Sequence, residues 1–222
     1  MSTQTATPSA EGTPIDTRGY VHRDKAAGFL ELGSLDVTAL AARVAALPAQ
    51  YWAERNATKP NRFDTLGNTA HIVLKFVRRI ADPTSYYALP EWAHWRADVE
   101  PLLQAAAVRC GYARAEFPRV MFARLPAGCE IERHRDGGRF PAFCRKVHVP
   151  LLTNPSTRCY VEPHWRHLPA GTAVEINNNL PHGVCNNGTT DRVHLIFELF
   201  ESPLVLERHA FNGAHRPLGD GA

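Results

Sequence analysis

The strongest constraint on the fold lies in the second half of the chain, where short β-rich runs recur between clusters of Gly, Pro and Asn. These runs cover residues 120–125, 130–134, 146–152, 158–162, 173–176, 183–185 and 193–200. Seven or eight short strands separated by turn residues are typical of an all-β sandwich or barrel. We therefore predict a β-barrel in the C-terminal part of the chain.

The N-terminal third combines helical periodicity with one strand. Apolar residues at i, i+3 and i+4 predict a helix that is capped by Ser34 and stopped by Pro48. Residues 71–77 predict a strand, and a second helical segment, interrupted at Pro101, is predicted over 90–111. We expect these helices to pack against the barrel within one domain, 18–222, preceded by a disordered tail, 1–17, that is rich in Ser, Thr, Pro and Ala.

Composition excludes several classes of protein. The 222 residues include 25 Lys and Arg against 22 Asp and Glu, a net charge of +3 with neutral histidines, and show no dense basic stripe of the kind that binds nucleic acid. No apolar run approaches the roughly 20 residues of a membrane span, and residues 1–17 lack the apolar core of a signal peptide. The five cysteines are an odd number without a C-x-x-C pair, which predicts reduced thiols. We expect a cytoplasmic protein.

The segment around His134 carries the clearest chemical signal. Alternate side chains of a strand share a face, so His134 and Asp136 are expected to point to the same side. A distant second histidine, for which His182 at the start of a predicted strand is the best candidate, completes a 2-His-1-carboxylate triad. This ligand set suits non-haem Fe(II) and leaves coordination positions open for a cosubstrate and O2.

Arg192 adds an anion site to this pattern. It stands ten residues after His182 and immediately precedes the apolar run 193–197. A buried arginine at the start of a strand requires an anionic partner, for which a carboxylate bound through two hydrogen bonds is the natural choice. A surface salt bridge is the alternative for Arg192 taken alone.

Together these motifs resemble the aspartyl/asparaginyl β-hydroxylase family of Fe(II)- and 2-oxoglutarate-dependent oxygenases. The matching segments are Leu-Pro-Ala-Gly at 125–128, His134-x-Asp136, residues 145–151, residues 178–186 and residues 192–196. Two positions depart from the vertebrate peptide-modifying members, which lack the aspartate supplied here by Asp136 and carry a hydroxyl side chain where Ala123 stands. The resemblance therefore predicts the chemistry and does not carry over the substrate of those members.

The resemblance implies a double-stranded β-helix (jelly-roll, cupin-like) fold that is mainly β with N-terminal helices. It implies that His134, Asp136 and His182 bind Fe(II), and that Arg192 holds the distal carboxylate of the cosubstrate 2-oxoglutarate. Assistance in holding that cosubstrate is expected from His148, Lys146 and His194. The implied reaction uses O2 to hydroxylate an unactivated carbon, with release of succinate and CO2.

The expected substrate is a free amino acid or a peptidyl residue, Asp/Asn-like and bearing a carboxylate. Residues 119–148 hold seven basic side chains against three acidic ones, a bias that favours an anionic substrate. The basic residues are Arg119, Arg124, Arg133, Arg135, Arg139, Arg145 and Lys146. Two alternatives stay open: a cupin-like metal-binding protein, either sensor module or isomerase, that does not use 2-oxoglutarate, and a catalytically silent scaffold. The sequence does not indicate the oligomeric state, nor whether the reaction is a hydroxylation or a desaturation.

Overall fold

The computed structural model describes residues 25–62, 64–137 and 144–201, so the predicted tail at 1–17 lies outside the described residues. The α-helices are α1 (Thr38–Ala45), α2 (Ala49–Ala57) and α3 (Pro90–Arg109). The strands are β1 (Phe29–Ser34), β2 (Ala70–Val77), β3 (Tyr86–Ala88), β4 (Ala115–Leu125), β5 (Glu130–His134), β6 (Arg145–Leu152), β7 (Thr157–Val161), β8 (His164–Arg166), β9 (Thr172–Ile176), β10 (His182–Asn186) and β11 (Arg192–Glu201).

The strands form two sheets in which every pairing is antiparallel. The larger sheet has the order β1-β9-β6-β11-β4-β2-β3, and the smaller has the order β5-β10-β7-β8. From β4 to β11 the chain passes repeatedly from one sheet to the other, so that eight consecutive strands form two four-stranded layers. This is the jelly-roll, or double-stranded β-helix, arrangement. The predicted fold, mainly β with N-terminal helices, is confirmed.

The larger sheet separates the hydrophobic core from the face that carries the polar candidates. On β4, Val120 and Phe122 belong to the core that packs against the helices, and the ring of Phe122 meets Trp95 of α3 edge-on at 5.0 Å between centroids. Because side chains alternate along a strand, Arg119 and Met121 point to the opposite side, toward the smaller sheet. Among the described residues, no helix is both long and apolar enough to cross a membrane.

Several N-terminal predictions were wrong. Ser34 ends β1 and does not cap a helix; the chain enters α1 instead through Val37, with Asp36 accepting a hydrogen bond from the backbone N–H of Thr38. The helix α3 runs through Pro101 without interruption, because buried side chains on both sides of the proline hold it against the sheet. The strand predicted at 71–77 is confirmed as β2, but β1 and β3, which also extend the larger sheet, were not predicted.

Candidate active site

The three predicted metal ligands meet on the smaller sheet. His134 ends β5 and His182 begins the neighbouring β10, where the two are register partners with ring centroids 4.3 Å apart. Asp136 follows two residues after His134, and its Oδ1 lies 3.7 Å from His134 Nε2 and 3.6 Å from His182 Nε2. The ligand atoms of the three residues lie within 4.8 Å of one another, which suits a single metal ion.

Backbone carbonyls fix the tautomer of both histidines. The Nδ1 of His134 lies 2.8 Å from the carbonyl of Glu132, and the Nδ1 of His182 lies 3.0 Å from the carbonyl of Leu180. A carbonyl only accepts, so each Nδ1 carries the proton and each Nε2 presents a lone pair to the other ligands. Burial, reinforced by the charge of Lys146, lowers the pKa of His182 to about 4, which keeps this ring neutral near pH 7.

The carboxylate of Asp136 is oriented by two donors on one oxygen. Lys146 Nζ donates to Oδ2 at 2.6 Å and Asn178 Nδ2 donates to the same atom at 2.7 Å, which leaves Oδ1 directed at the histidines. Burial by itself raises the pKa of Asp136, but the Lys146 charge and the two hydrogen bonds outweigh it and lower that pKa well below its ordinary value. Asp136 is therefore ionised at every physiological pH. Asn178 is held in turn by Lys25, which donates to its Oδ1.

Arg192 forms a second polar centre at the start of β11. Its side chain is only 1% exposed, and no carboxylate of the described residues lies within ion-pair distance of it. Its Nη2 donates to His194 Nδ1 at 2.8 Å, it contacts the thiol of Cys159, and its Nε and Nη1 have no described hydrogen-bond partner. Burial and the neighbouring Arg192 charge lower the pKa of both His148 and His194 well below the ordinary value. A fixed cation therefore stands among neutral rings, as a carboxylate site requires.

One cavity of about 380 Å³ joins the two centres. Its wall includes His134, Asp136, His182, Lys146, His148 and Arg192. Its volume falls in the range of small-molecule pockets, roughly 300–1,000 Å³. Six of the seven candidate residues chosen from the sequence thus line one cavity.

The seventh candidate, His194, does not line the cavity. It accepts the hydrogen bond from Arg192, and its Nδ1 lies 3.4 Å from His148 Nδ1, so it stands behind these two residues. Lys146 does line the cavity, but like His194 it is hydrogen-bonded to another candidate residue, Asp136. Sequence reasoning missed Asn178, whose position in a run of three asparagines indicates only a turn, and Asn61, which lines the cavity from the loop after α2.

Only some of the basic residues expected at the rim of the site line the cavity. Those that line the cavity are Arg119, Arg135 and Lys146. Those that do not are Arg124, Arg133 and Arg145, of which the first and last pair with Asp191 and Glu175. Arg139 lies outside the described residues. Because Arg119 and Lys146 also have carboxylate partners, the cavity carries less excess positive charge than the sequence indicates.

Comparison with known families gives a match that covers the site. Residues 102–202 match the sequence profile described as aspartyl/asparaginyl beta-hydroxylase. Residues 102–202, somewhat less than half of the 222 residues, are similar to that family. The matched segment contains the three candidate metal ligands, Arg192, His148 and Lys146. The resemblance expected from the motifs is confirmed over this segment, and it supports the expected enzyme class, a 2-oxoglutarate-dependent oxygenase.

The solved structures that resemble this chain have low sequence identity to it. An oxidoreductase of the 2OG-Fe(II) oxygenase family from Burkholderia pseudomallei is 16% identical, with 75% of this chain and 90% of that chain covered and a TM-score of 0.49. AviO1 from Streptomyces viridochromogenes is 17% identical over 79% of this chain and 91% of that chain, with a TM-score of 0.49. A viral collagen prolyl hydroxylase from Paramecium Bursaria Chlorella virus-1 is 10% identical over 78% and 94%, with a TM-score of 0.46. No curated protein matches the chain.

Proposed function

We propose that the chain is an Fe(II)- and 2-oxoglutarate-dependent hydroxylase that oxidises an unactivated carbon of an amino acid or peptidyl residue and releases succinate and CO2. The observation that carries the proposal is the cavity that joins a His134/Asp136/His182 cluster to the buried cation of Arg192. A cupin-like metal protein that does not use 2-oxoglutarate has no need of the second centre.

The donor set fits a divalent iron ion. Two imidazole nitrogens and one carboxylate oxygen converge, and the buried His182 Nε2 has no described hydrogen-bond partner. Two histidines and one carboxylate are the ligand set of non-haem Fe(II) oxygenases, which keep open positions for other ligands. His134, Asp136 and His182 would therefore hold the iron.

The Arg192 centre fits the distal carboxylate of 2-oxoglutarate. An unpaired guanidinium costs free energy when it is buried, and a carboxylate that accepts two hydrogen bonds offsets that cost. The buried His148 Nε2 also has no described partner and faces the same cavity. His194 would orient Arg192 through its hydrogen bond, and Lys146 would orient Asp136.

Within this site the protein binds, orients and shields. When bound, iron with 2-oxoglutarate and O2 supplies the oxidant that attacks a C–H bond. Arg192 fixes one end of the cosubstrate, the backbone carbonyls of Glu132 and Leu180 hold the histidine rings, and Lys146 with Asn178 fixes the carboxylate. His182 and Arg192 are buried in the cavity wall, away from bulk water, which strengthens their electrostatic contacts. The cytoplasmic location and the exclusion of nucleic-acid and membrane partners stay predictions from the sequence.

The test is production of succinate from 2-oxoglutarate by the full chain, loaded anaerobically with Fe(II) and then exposed to air with amino acids and short Asp- or Asn-containing peptides. We expect turnover above the substrate-free background. His182→Ala should abolish iron binding and turnover in a folded protein, because only two ligands remain. Arg192→Ala should sharply raise the 2-oxoglutarate concentration required while iron still binds.

The exposed His164 of β8, outside the cavity wall, gives the matched control, and His164→Ala should behave as the parent chain. Failure of the iron-loaded chain to bind 2-oxoglutarate would contradict the proposal and favour the cupin-like metal protein. Equal activity in the parent chain, His182→Ala and Arg192→Ala would contradict the assignment of the residues.

A further inference from the structure

An ion pair on the cavity wall has no task in holding iron or 2-oxoglutarate. Arg119 of β4 and Glu198 of β11 are register partners across the larger sheet, and Arg119 Nη1 lies 3.3 Å from Glu198 Oε2. Their side chains are 14% and 5% exposed, and both residues line the cavity. The cavity therefore presents a positive and a negative group side by side in a place that solvent barely reaches.

The negative member of this pair keeps an unused acceptor. Arg119 Nη1 donates a hydrogen bond to Glu198 Oε1 at 3.4 Å, whereas the buried Oε2, although 3.3 Å from the same nitrogen, accepts no hydrogen bond from the described residues. Asn61 offers a second unused acceptor, because its side chain is buried and its Oδ1 also lacks a described partner. The Asn61 amide donates to Met121 Sδ at 3.7 Å, which places it beside the residue two positions along β4 from Arg119. Because both residues line the cavity, these two buried acceptors are placed to accept N–H groups of a bound molecule.

Most of the remaining wall is apolar. The apolar side chains that line it include Leu66, Phe76, Ile80, Met121, Ile131 and Val161. Among the described residues, the other cations on the wall contact groups outside this ion pair: Lys146 contacts Asp136, Arg135 donates to the carbonyl of Asn179 at 3.0 Å, and Arg192 would bind the cosubstrate as proposed. A substrate side chain that carries a carboxylate therefore meets no described cation reserved for it.

We infer that the substrate is a free α-amino acid with an apolar side chain, whose ammonium group binds Glu198 and whose carboxylate binds Arg119. This inference rests on the proposed function and narrows its substrate class. An α-amino acid carries an ammonium group and a carboxylate group on the same carbon atom. The cavity wall carries the two complementary charges, those of Glu198 and Arg119, side by side. An ammonium group has three donors, which suits the unused acceptors of Glu198 and Asn61. A peptide bond on either side of the residue removes one of its two charges. Either Glu198 or Arg119 then has no opposite charge on the substrate to bind.

The test is calorimetric titration of the full chain loaded with Ni²⁺, which replaces iron without turnover. The first titration uses 2-oxoglutarate and examines the proposed function alone. With 2-oxoglutarate present, the second uses L-valine, L-leucine, L-isoleucine, L-methionine, L-phenylalanine and L-proline, and then N-acetyl-L-leucine, L-leucinamide, L-aspartate and an Ala-Leu-Ala peptide. We expect at least one free apolar amino acid to bind. Blocking its amine or its carboxyl should weaken binding at least about tenfold, because a hydrogen bond to a charged group is lost.

Glu198→Gln should weaken amino-acid binding at least about tenfold while 2-oxoglutarate binds as before. Glu175→Gln is the matched control, because Glu175 is likewise a buried carboxylate paired with an arginine across neighbouring strands and does not line the cavity. Binding of 2-oxoglutarate combined with no binding of the six apolar amino acids, or with equal binding of blocked leucine, would overturn the inference and leave the proposed function standing. Absence of 2-oxoglutarate binding would overturn the proposed function. The blocked ligands decide the question even where Glu198→Gln does not fold.

Discussion

At the scale of single residues, Asn178 links the turn before β10 to the metal ligands. Its side chain is fully buried, its amide donates to Asp136, and its backbone carbonyl accepts from the N–H of Asp136 at 3.2 Å. The same turn supplies the Leu180 carbonyl that fixes His182. One short segment thus positions two of the three proposed ligands, which come from different strands.

We predict that Asn178→Ala lowers metal affinity about 10–100-fold, the usual loss when a residue that orients a ligand is removed. Asp136 loses one of the two donors that hold its Oδ2, so its Oδ1 is presented less well. The measurement is Ni²⁺ titration, with circular dichroism to establish folding. Asn179→Ala is the control, because Asn179 is exposed and does not line the cavity. An unchanged affinity in a folded Asn178→Ala protein would show that Lys146 alone suffices.

His71 should make the free energy of unfolding depend on pH. It is buried on β2, with Nδ1 3.1 Å from Lys59 Nζ and Nε2 3.4 Å from Thr69 Oγ1. Burial, followed by the Lys59 charge, lowers its pKa from 6.5 to about 3. Between these two values only the unfolded chain binds a proton at His71, so the free energy of unfolding falls as the pH is lowered, by up to about 1.4 kcal/mol per pH unit. Above pH 6.5 this loss is absent.

His71→Gln should therefore show a shallower decrease in the free energy of unfolding between pH 6.5 and 4.5, measured by urea denaturation. The variant is expected to be less stable at pH 7.5, since the packing of the ring is lost. His164→Gln, at an exposed position, should keep the slope of the parent chain. Equal slopes in the parent chain and His71→Gln would mean that His71 is protonated in the folded state as well.

The sequence identified site residues wherever chemistry and spacing coincide. His134 and Asp136 are two residues apart, which predicts that they lie on one side of a strand. Arg192 is at the start of an apolar strand, where a buried cation requires an anionic partner. Asn178 and Asn61 were not predicted as site residues, because their roles depend on contacts with residues 42 and 60 positions away in the chain. A side chain whose function is set by a distant partner leaves no local pattern.

At the scale of secondary structure, β5 and β10 must approach closely for the two histidines to share a metal. Gly183 of β10 permits this, because a Cβ at that position would lie 2.8 Å from the carbonyl oxygen of Ile131 and 3.3 Å from the nitrogen of Arg133, both in β5. The backbone of β5 is not free to move aside without disturbing His134.

We predict that Gly183→Ala separates β5 from β10 and costs about 1–3 kcal/mol of stability, as overpacking does. Because His134 and His182 sit on the strands that separate, metal affinity should fall as well. Gly137→Ala is the control, since a Cβ there has no atom within 4 Å and Gly137 also lies beside the site. Urea denaturation and Ni²⁺ titration measure the two effects. An unaltered metal affinity in Gly183→Ala would show that the site does not require this approach.

The barrel strands were predictable because each combines β-forming residues with flanking turn residues, and all seven predicted runs are strands in the structure. The elements that were missed depend on tertiary contacts. Only Leu32 of β1 is buried, and this edge strand forms by pairing Phe29 with Ile176. The helix α2 buries only Trp52, so its sequence shows no apolar face. The strand β8 has three residues, too few for any periodicity.

At the scale of the whole molecule, the two halves of the proposed site belong to different sheets. The metal ligands come from β5, the residues just after it and β10, in the smaller sheet, whereas Arg192, His148 and Lys146 come from β11 and β6, in the larger sheet. A molecule that binds the metal at one end and Arg192 at the other connects the two layers. Neither sheet alone offers both contacts, so binding of metal and of 2-oxoglutarate should be coupled.

We therefore predict that 2-oxoglutarate raises the melting temperature more in the presence of Ni²⁺ than in its absence. A ligand at a hundred times its dissociation constant stabilises by about 2.7 kcal/mol, or roughly 5–10 °C for a chain of this size. Without metal the acid contacts only the larger sheet, its affinity falls, and the shift at the same concentration should be small. Arg192→Gln should keep the shift caused by Ni²⁺ and lose the increment caused by 2-oxoglutarate. Equal increments with and without metal would mean that the acid binds one sheet only, and the cavity would then not connect the two centres in function.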